Sequence, residues 1–308
     1  MFTVEIPHKG LAFSNRFPWK IGIVSFMAYP DMTTGKGDII SNIRTIVEDP
    51  FFDGIEICGL TEEQWTAVKP SVGSKTVARC MQPDLLSGKI NLNSTNADDR
   101  RKAISVVKKE IDLSAGRGIK TLAICSGPDP GLERRSREKD LLSESLVEIC
   151  GYAAEKGVEI LIETFDRDWD RKLLIGPMAD CVEVVEKVRG NHLNLGIMWD
   201  LSHGPLLNET EDVLDTAGDL LGHIHVGCAK KIGAKYLDTH PVFYREGAVN
   251  GVQEVVSLLK KLIEIDYKRM VSFEVKPEEG QTAESVITTS KGVLISAYTK
   301  AVSEILAG

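Results

Sequence analysis

The chain has 308 residues, 43% of them hydrophobic and 27% charged, a composition that supports a large buried core and excludes disorder over its length. Its formal net charge of −8 at pH 7 excludes nucleic acid or an anionic membrane as the main partner, because neutralising phosphate needs Lys and Arg in excess. No apolar run reaches the roughly 18 residues of a membrane span, and the opening MFTVEIPHKGLAFSNRF lacks the apolar stretch of a secretion signal, so a cytoplasmic location and a small uncharged substrate are expected.

In chain order, short β-rich runs alternate with longer helical ones, the pattern of repeated strand–helix units around a parallel sheet. Strands are predicted at 20–26 (KIGIVSF), 54–58 (GIEIC), 76–81 (TVARCM), 121–126 (TLAICS), 158–163 (VEILIE), 195–200 (LGIMWD), 222–227 (GHIHVG) and 270–275 (MVSFEV). Amphipathic helices are predicted near 37–48, 98–117, 136–156, 178–189, 208–221, 250–265 and 283–306. In the second of these, Ile104, Val107, Ile111 and Ser114 share one face while Arg101, Lys102, Lys108 and Lys109 point elsewhere. Three helices are expected to end on a glycine in the left-handed conformation behind a basic residue, at Gly118, Gly157 and Gly190. No linker splits the chain and no GxGxxG follows the first strand, so the expected architecture is a single-domain (β/α)8 TIM barrel of the α/β class over residues 1–308 rather than an open doubly wound sheet. The six cysteines, at 58, 80, 125, 150, 181 and 228, form no CxxC pair and are read as free thiols, Cys150 and Cys181 in the core.

Four of the later strands end in a metal-ligand residue type: Glu163, Asp200, His225 and Glu274. A polar side chain just past an apolar strand has left the packed interior, and several strands converging on one barrel mouth would bring such groups together. His203 follows Asp200 on the same turn, and Asp238 and His240 sit in a loop before Pro241. His223 and His225 are expected on opposite sides of their strand, with only one facing the barrel axis. Glu56 has two open readings, the barrel floor or a pair with a neighbour. Carboxylates with an imidazole suit one divalent ion, Mn²⁺ first, with Co²⁺, Mg²⁺ or Zn²⁺ as alternatives. Such an ion polarises a carbonyl or hydroxyl beside a carbon that loses a proton, and a carboxylate moves that proton. Arg167 and Lys276 are candidates to bind sugar hydroxyls, and Trp199 and Phe165 are read as packing residues beside the ligands.

The ordered series Glu163, Asp200-x-x-His203, His225, Asp238-x-His240 and Glu274, within IETFDRD, MWDLSH, HIHVG and SFEVKP, resembles the xylose isomerase-like TIM-barrel superfamily of sugar isomerases, epimerases, dehydratases and abasic-site endonucleases. The resemblance implies that Glu163, Asp200, His225 and Glu274 bind one divalent ion, that Glu163 and Glu274 are the acid/base pair on opposite faces of a sugar, and that His203 contacts substrate. In the endonuclease branch, the pair matching Asp238 and His240 binds a further zinc. That branch also needs histidines after the third and fourth strands, where this chain has Arg79, Cys80, Met81 and Gln82, then Cys125, Ser126 and Gly127. Asp238 and His240 are therefore assigned to substrate. The expected activity is a metal-dependent sugar or polyol isomerase or epimerase acting through an enediol. The alternatives are a lyase of the same superfamily, including inosose dehydratases and C-deglycosidases with a small partner subunit, and a non-catalytic sugar-binding barrel. Homo-oligomers are common in the superfamily.

Overall fold

The computed structural model describes residues 2–34 and 37–307. Thirteen strands are present among them: β1 Thr3–His8, β2 Leu11–Arg16, β3 Ile21–Ile23, β4 Gly54–Ile57, β5 Thr76–Cys80, β6 Thr121–Ile124, β7 Glu159–Glu163, β8 Leu195–Asp200, β9 Leu221–Val226, β10 Ala229–Ile232, β11 Lys235–Leu237, β12 Ala248–Val249 and β13 Val271–Phe273. Eight form one parallel sheet in the order β3-β13-β9-β8-β7-β6-β5-β4, and a bridge between Val24 and Glu56 joins its two ends. The result is a nearly closed (β/α)8 barrel, and its eight strands are the eight predicted ones.

The strands read as continuous apolar runs because helices cover them outside and side chains fill them inside. Register decides which residues face in. Glu163 pairs with Met198, Asp200 with His225, and His225 with Ser272. On the other arc Glu56 pairs with Ala78, Cys80 with Ala123, and Ala123 with Leu161. Paired residues share a face, as do residues two apart in one strand. Glu56, Cys80, Glu163, Asp200, His223, His225 and Glu274 therefore all belong to the inward set.

That rule corrects the expectation for His223 and His225. Being two residues apart, they lie on the same face, both buried, with ring centroids 5.0 Å apart.

The helix at Ala97–Gly116 buries Ile104, Val107, Ile111 and Ser114, the predicted face. Gly118 and Gly157 take φ of 77° and 67°, and the next residues close the caps, Ile119 N–H onto Ser114 O at 2.8 Å and Val158 N–H onto Ala153 O at 2.9 Å. Gly190 departs from the expectation: its φ is −58°, and the turn continues right-handed into Asn191. The predicted helix 208–221 is broken into short pieces, Glu211–Val213, Leu214–Ala217 and Gly218–Leu220, with left-handed backbone at Asn208 (φ 55°) and Gly218 (φ 48°). A capped helix at Glu62–Val72 was not predicted.

Two additions lie outside the barrel. The β1–β2 hairpin turns at Lys9 and Gly10, both at positive φ, the backbone a two-residue hairpin turn requires. It packs Phe2 and Phe17 against Tyr298 of the last helix. The antiparallel sheet β11-β10-β12 follows β9 and carries Asp238 and His240 back over the barrel mouth. All six cysteines are free and buried, and among the described residues no helix is long and apolar enough to cross a membrane.

Candidate metal and substrate site

The C-terminal ends of the barrel strands open into a cavity of about 590 Å³. Its lining combines the polar Glu163, His225, Glu274, Asp238, His240 and Arg171 with apolar side chains such as Phe26, Met27 and Met32.

Glu163, Asp200, His225 and Glu274 each offer a donor atom, all within 4.8 Å of one another, close to twice a metal–oxygen bond of about 2.2 Å. His225 Nδ1 is 2.6 Å from Glu274 Oε2 and 3.6 Å from Glu163 Oε1. The 2.6 Å pair lacks hydrogen-bond geometry, and both atoms are buried without a hydrogen-bond partner among the described residues. Buried polar atoms in that state are rare. A shared divalent cation satisfies them, so the residues fit an ion with three oxygen donors and one nitrogen.

Neighbours hold three of the four donors. Gln82 Nε2 donates to Glu163 Oε2 at 2.7 Å, which leaves Oε1 toward His225. Ser202 N–H donates to Asp200 Oδ1 at 2.8 Å and the Ser202 hydroxyl donates to Oδ2. His225 Nε2 donates to Glu56 Oε2 at 3.1 Å. Burial raises the Glu163 pKa. Burial also pushes Glu274 up, but the charges on His240 and His225 outweigh it and bring that carboxyl down to about 2. Burial disfavours a charged His225, yet Glu56 and Glu274 lift its pKa well above the ordinary value.

Asp238 and His240 form a second buried pair, with Asp238 Oδ1 2.6 Å from His240 Nε2 and 3.2 Å from His203 Nε2. Arg171 donates to Asp238 Oδ2 at 2.8 Å and to its carbonyl at 3.1 Å. Against its burial, Glu274 and Asp238 raise His240 to about 9, and His240 and His203 hold Asp238 well below the usual carboxylate range despite the opposing effect of burial.

Two expected substrate residues are placed elsewhere. Arg167 is absent from the cavity lining; its guanidinium reaches Asp180 Oδ2 at 2.6 Å and the Leu174 carbonyl at 2.5 Å. His203 is also absent from the lining. It lies beside Phe165, ring centroids 4.7 Å apart, and its Nδ1 donates to the Thr164 carbonyl at 2.7 Å. Phe165, read as packing, does line the cavity, whereas Trp199 is core. Lys276 is exposed on the rim. Glu56, Gln82 and Arg171 were not assigned roles from sequence. Inward parity flags Glu56, and the position straight after β5 flags Gln82; no sequence signal separates Arg171 from Arg167.

With this geometry in place, the comparisons decide the family. The description "xylose isomerase-like TIM barrel" matches residues 52–290. The chain belongs to that family. No curated protein matches it in sequence. Solved structures share the fold: D-psicose 3-epimerase with D-tagatose from Clostridium cellulolyticum H10 (20% identity, 93% of this chain and 99% of that one, TM-score 0.65) and a D-tagatose 3-epimerase-like protein (19%, 93% and 99%, 0.72). A third is the IolI protein with a bound zinc atom (17%, 92% and 99%, 0.71).

Proposed function

We propose that this family member is a divalent-metal-dependent sugar or polyol isomerase or epimerase. The observation that carries the reading is the set of four converging donors, from the buried Glu163, Asp200 and His225 and the largely buried Glu274, two of whose atoms have no hydrogen-bond partner among the described residues. The epimerases among the structures of like fold, and the zinc atom of IolI, support it.

A divalent ion held there supplies Lewis-acid polarisation of a substrate carbonyl or hydroxyl. The protein's own part is proton transfer. Glu274 takes a proton from the carbon beside the carbonyl and Glu163 returns one, a pair of cavity carboxyls serving as base and acid in turn. Arg171 and Lys276 on the cavity wall are placed to donate to sugar oxygens, and His240 to donate from an imidazolium. His203 acts behind the wall by holding Asp238.

The test is metal content of the purified protein and of Glu163→Gln and Glu274→Gln, followed by incubation of ketoses, inososes and keto-glycosides in D₂O. The expected result is about one ion per chain, lost in either variant, and deuterium incorporation beside the carbonyl of a substrate. A new epimer or isomer identifies the isomerase; loss of a β substituent identifies a lyase. A wild type that takes up no divalent ion when supplied with one removes the basis of the reading.

A further inference from the structure

We propose that Glu56 is the positioning residue for His225: its carboxylate fixes the imidazole as the Nε2–H tautomer and so keeps the Nδ1 lone pair for the ion. The proposal rests on the metal reading of the preceding section.

Glu56 lies on β4, far from the ligands in sequence, and is 0% exposed. A buried carboxylate is costly unless donors surround it. Its donors here are His223 Nε2 at 2.8 Å on Oε1, and His225 Nε2 at 3.1 Å and Cys80 Sγ at 3.1 Å on Oε2. A carboxylate can only accept, so both imidazoles must carry their proton on Nε2. For His225 this leaves Nδ1 as the nitrogen that can face an ion once the ring is neutral. Nδ1 faces Glu274 and Glu163, and a neutral ring presents a lone pair there, which two carboxylate oxygens would repel unless a cation lay between.

His223 explains why one carboxylate meets two histidines. It occupies Oε1 while its own Nε2 lies 3.2 Å from the Ser272 hydroxyl, and its ring stands edge-on to that of His225, at an interplanar angle of 87°. With both oxygens held, the Glu56 carboxylate cannot rotate away from His225. Metal-bound histidines commonly have an acceptor on the second nitrogen, and removing it weakens metal binding. The structure supplies that acceptor from the opposite arc of the barrel.

The test compares wild type, Glu56→Met and His223→Leu. Met fills the space of Glu but cannot accept a hydrogen bond, while His223→Leu keeps the Glu56–His225 contact. Calorimetric titration with Mn²⁺ is expected to give a dissociation constant about 10–100-fold higher in Glu56→Met, with His223→Leu closer to wild type. A group serving only to hold the fold would lower the unfolding midpoint of both variants and leave the two affinities alike. A second measurement does not depend on either variant folding: in Zn²⁺-loaded wild type with ¹⁵N-labelled histidine, NMR should show His225 protonated on Nε2. Protonation on Nδ1, or wild-type Mn²⁺ affinity in Glu56→Met, overturns this proposal alone. A wild type that binds neither ion overturns the metal reading with it.

Discussion

Gly227, directly after β9, is where the backbone sets the spacing of the site, and Gly227→Ala tests that spacing. A Cβ there would lie 2.3 Å from the Glu274 carbonyl oxygen and 3.6 Å from His240 Nδ1. Ordinary contact begins near 3.4 Å, so the ends of β9 and β13 must part by 3.4 − 2.3, about 1 Å, and the obstacle is backbone that cannot swing aside. Those two ends carry His225 and Glu274. Overpacking of this kind costs about 1–3 kcal/mol of stability. A displacement of about 1 Å at reacting groups costs roughly 100-fold in turnover, because such a site tolerates only about 0.5 Å. Urea unfolding measures the first effect, the rate of deuterium exchange into substrate measures the second, and Mn²⁺ calorimetry reads the ligand spacing directly. Gly292→Ala is the control: it sits exposed inside the last helix with no atom within 4 Å of a Cβ, so the substitution should gain about 0.5–1 kcal/mol and leave metal affinity unchanged. Wild-type stability and metal binding in Gly227→Ala would refute the claim that the strand spacing positions the ligands.

Arg167→Met removes a partly buried charged hydrogen-bond donor from Asp180 and Leu174 and should lower stability by about 2 kcal/mol with KM unchanged once a substrate is found. Arg171→Met should do the reverse, raising KM with a smaller loss of stability in urea, because its guanidinium lines the cavity. Metal binding at pH 7 should release roughly one proton from His225, whose pKa Glu56 and Glu274 lift well above its ordinary value while a ligating histidine must be neutral. Calorimetry in two buffers of different ionisation enthalpy reads this number, and the apparent affinity should rise with pH through neutrality. An affinity flat across that range would contradict the assignment of His225 as a ligand.

What could be read from sequence follows from periodicity. The eight strands, and the convergence of Glu163, Asp200, His225 and Glu274, were legible because each strand is a continuous apolar run and each of these residues ends one, as in LGIMWD at Asp200. The helix at Glu62–Val72 carries a capping box at Thr61 and Gln64 that was there to be read, with Pro70 inside it obscuring the pattern. The sheet β10–β12 was not legible, since AKKI and KYL are mixed and partly exposed. Site partners were the hardest. Glu56 meets His223 and His225 only because the sheet closes on itself, and Arg171 rather than Arg167 reaches Asp238 because Asp166 accepts from Trp169, Asp170 and Arg171 N–H and folds the loop back. Neither pairing leaves a trace in local sequence.

Charge balance ties these pieces together. Five carboxylates meet at the mouth, Glu56, Glu163, Asp200, Asp238 and Glu274, with the first four buried to 3% exposure or less. Among the described residues, Arg171 is the one arginine that pairs with them, through Asp238. The other contacts run through His203, His223, His225 and His240. Uncompensated buried carboxylates are not sustainable, and the carboxylates around His203, His225 and His240 raise all three pKa values against the opposing effect of burial, so that protons there supply positive charge. A divalent ion between Glu163, Asp200, His225 and Glu274 would replace that proton on His225 and leave His203 and His240 paired with Asp238. On the proposed reading the two clusters differ: one would exchange a proton for a metal, and in the other His240, which lines the cavity, would be the group facing a substrate while His203 holds Asp238 from behind.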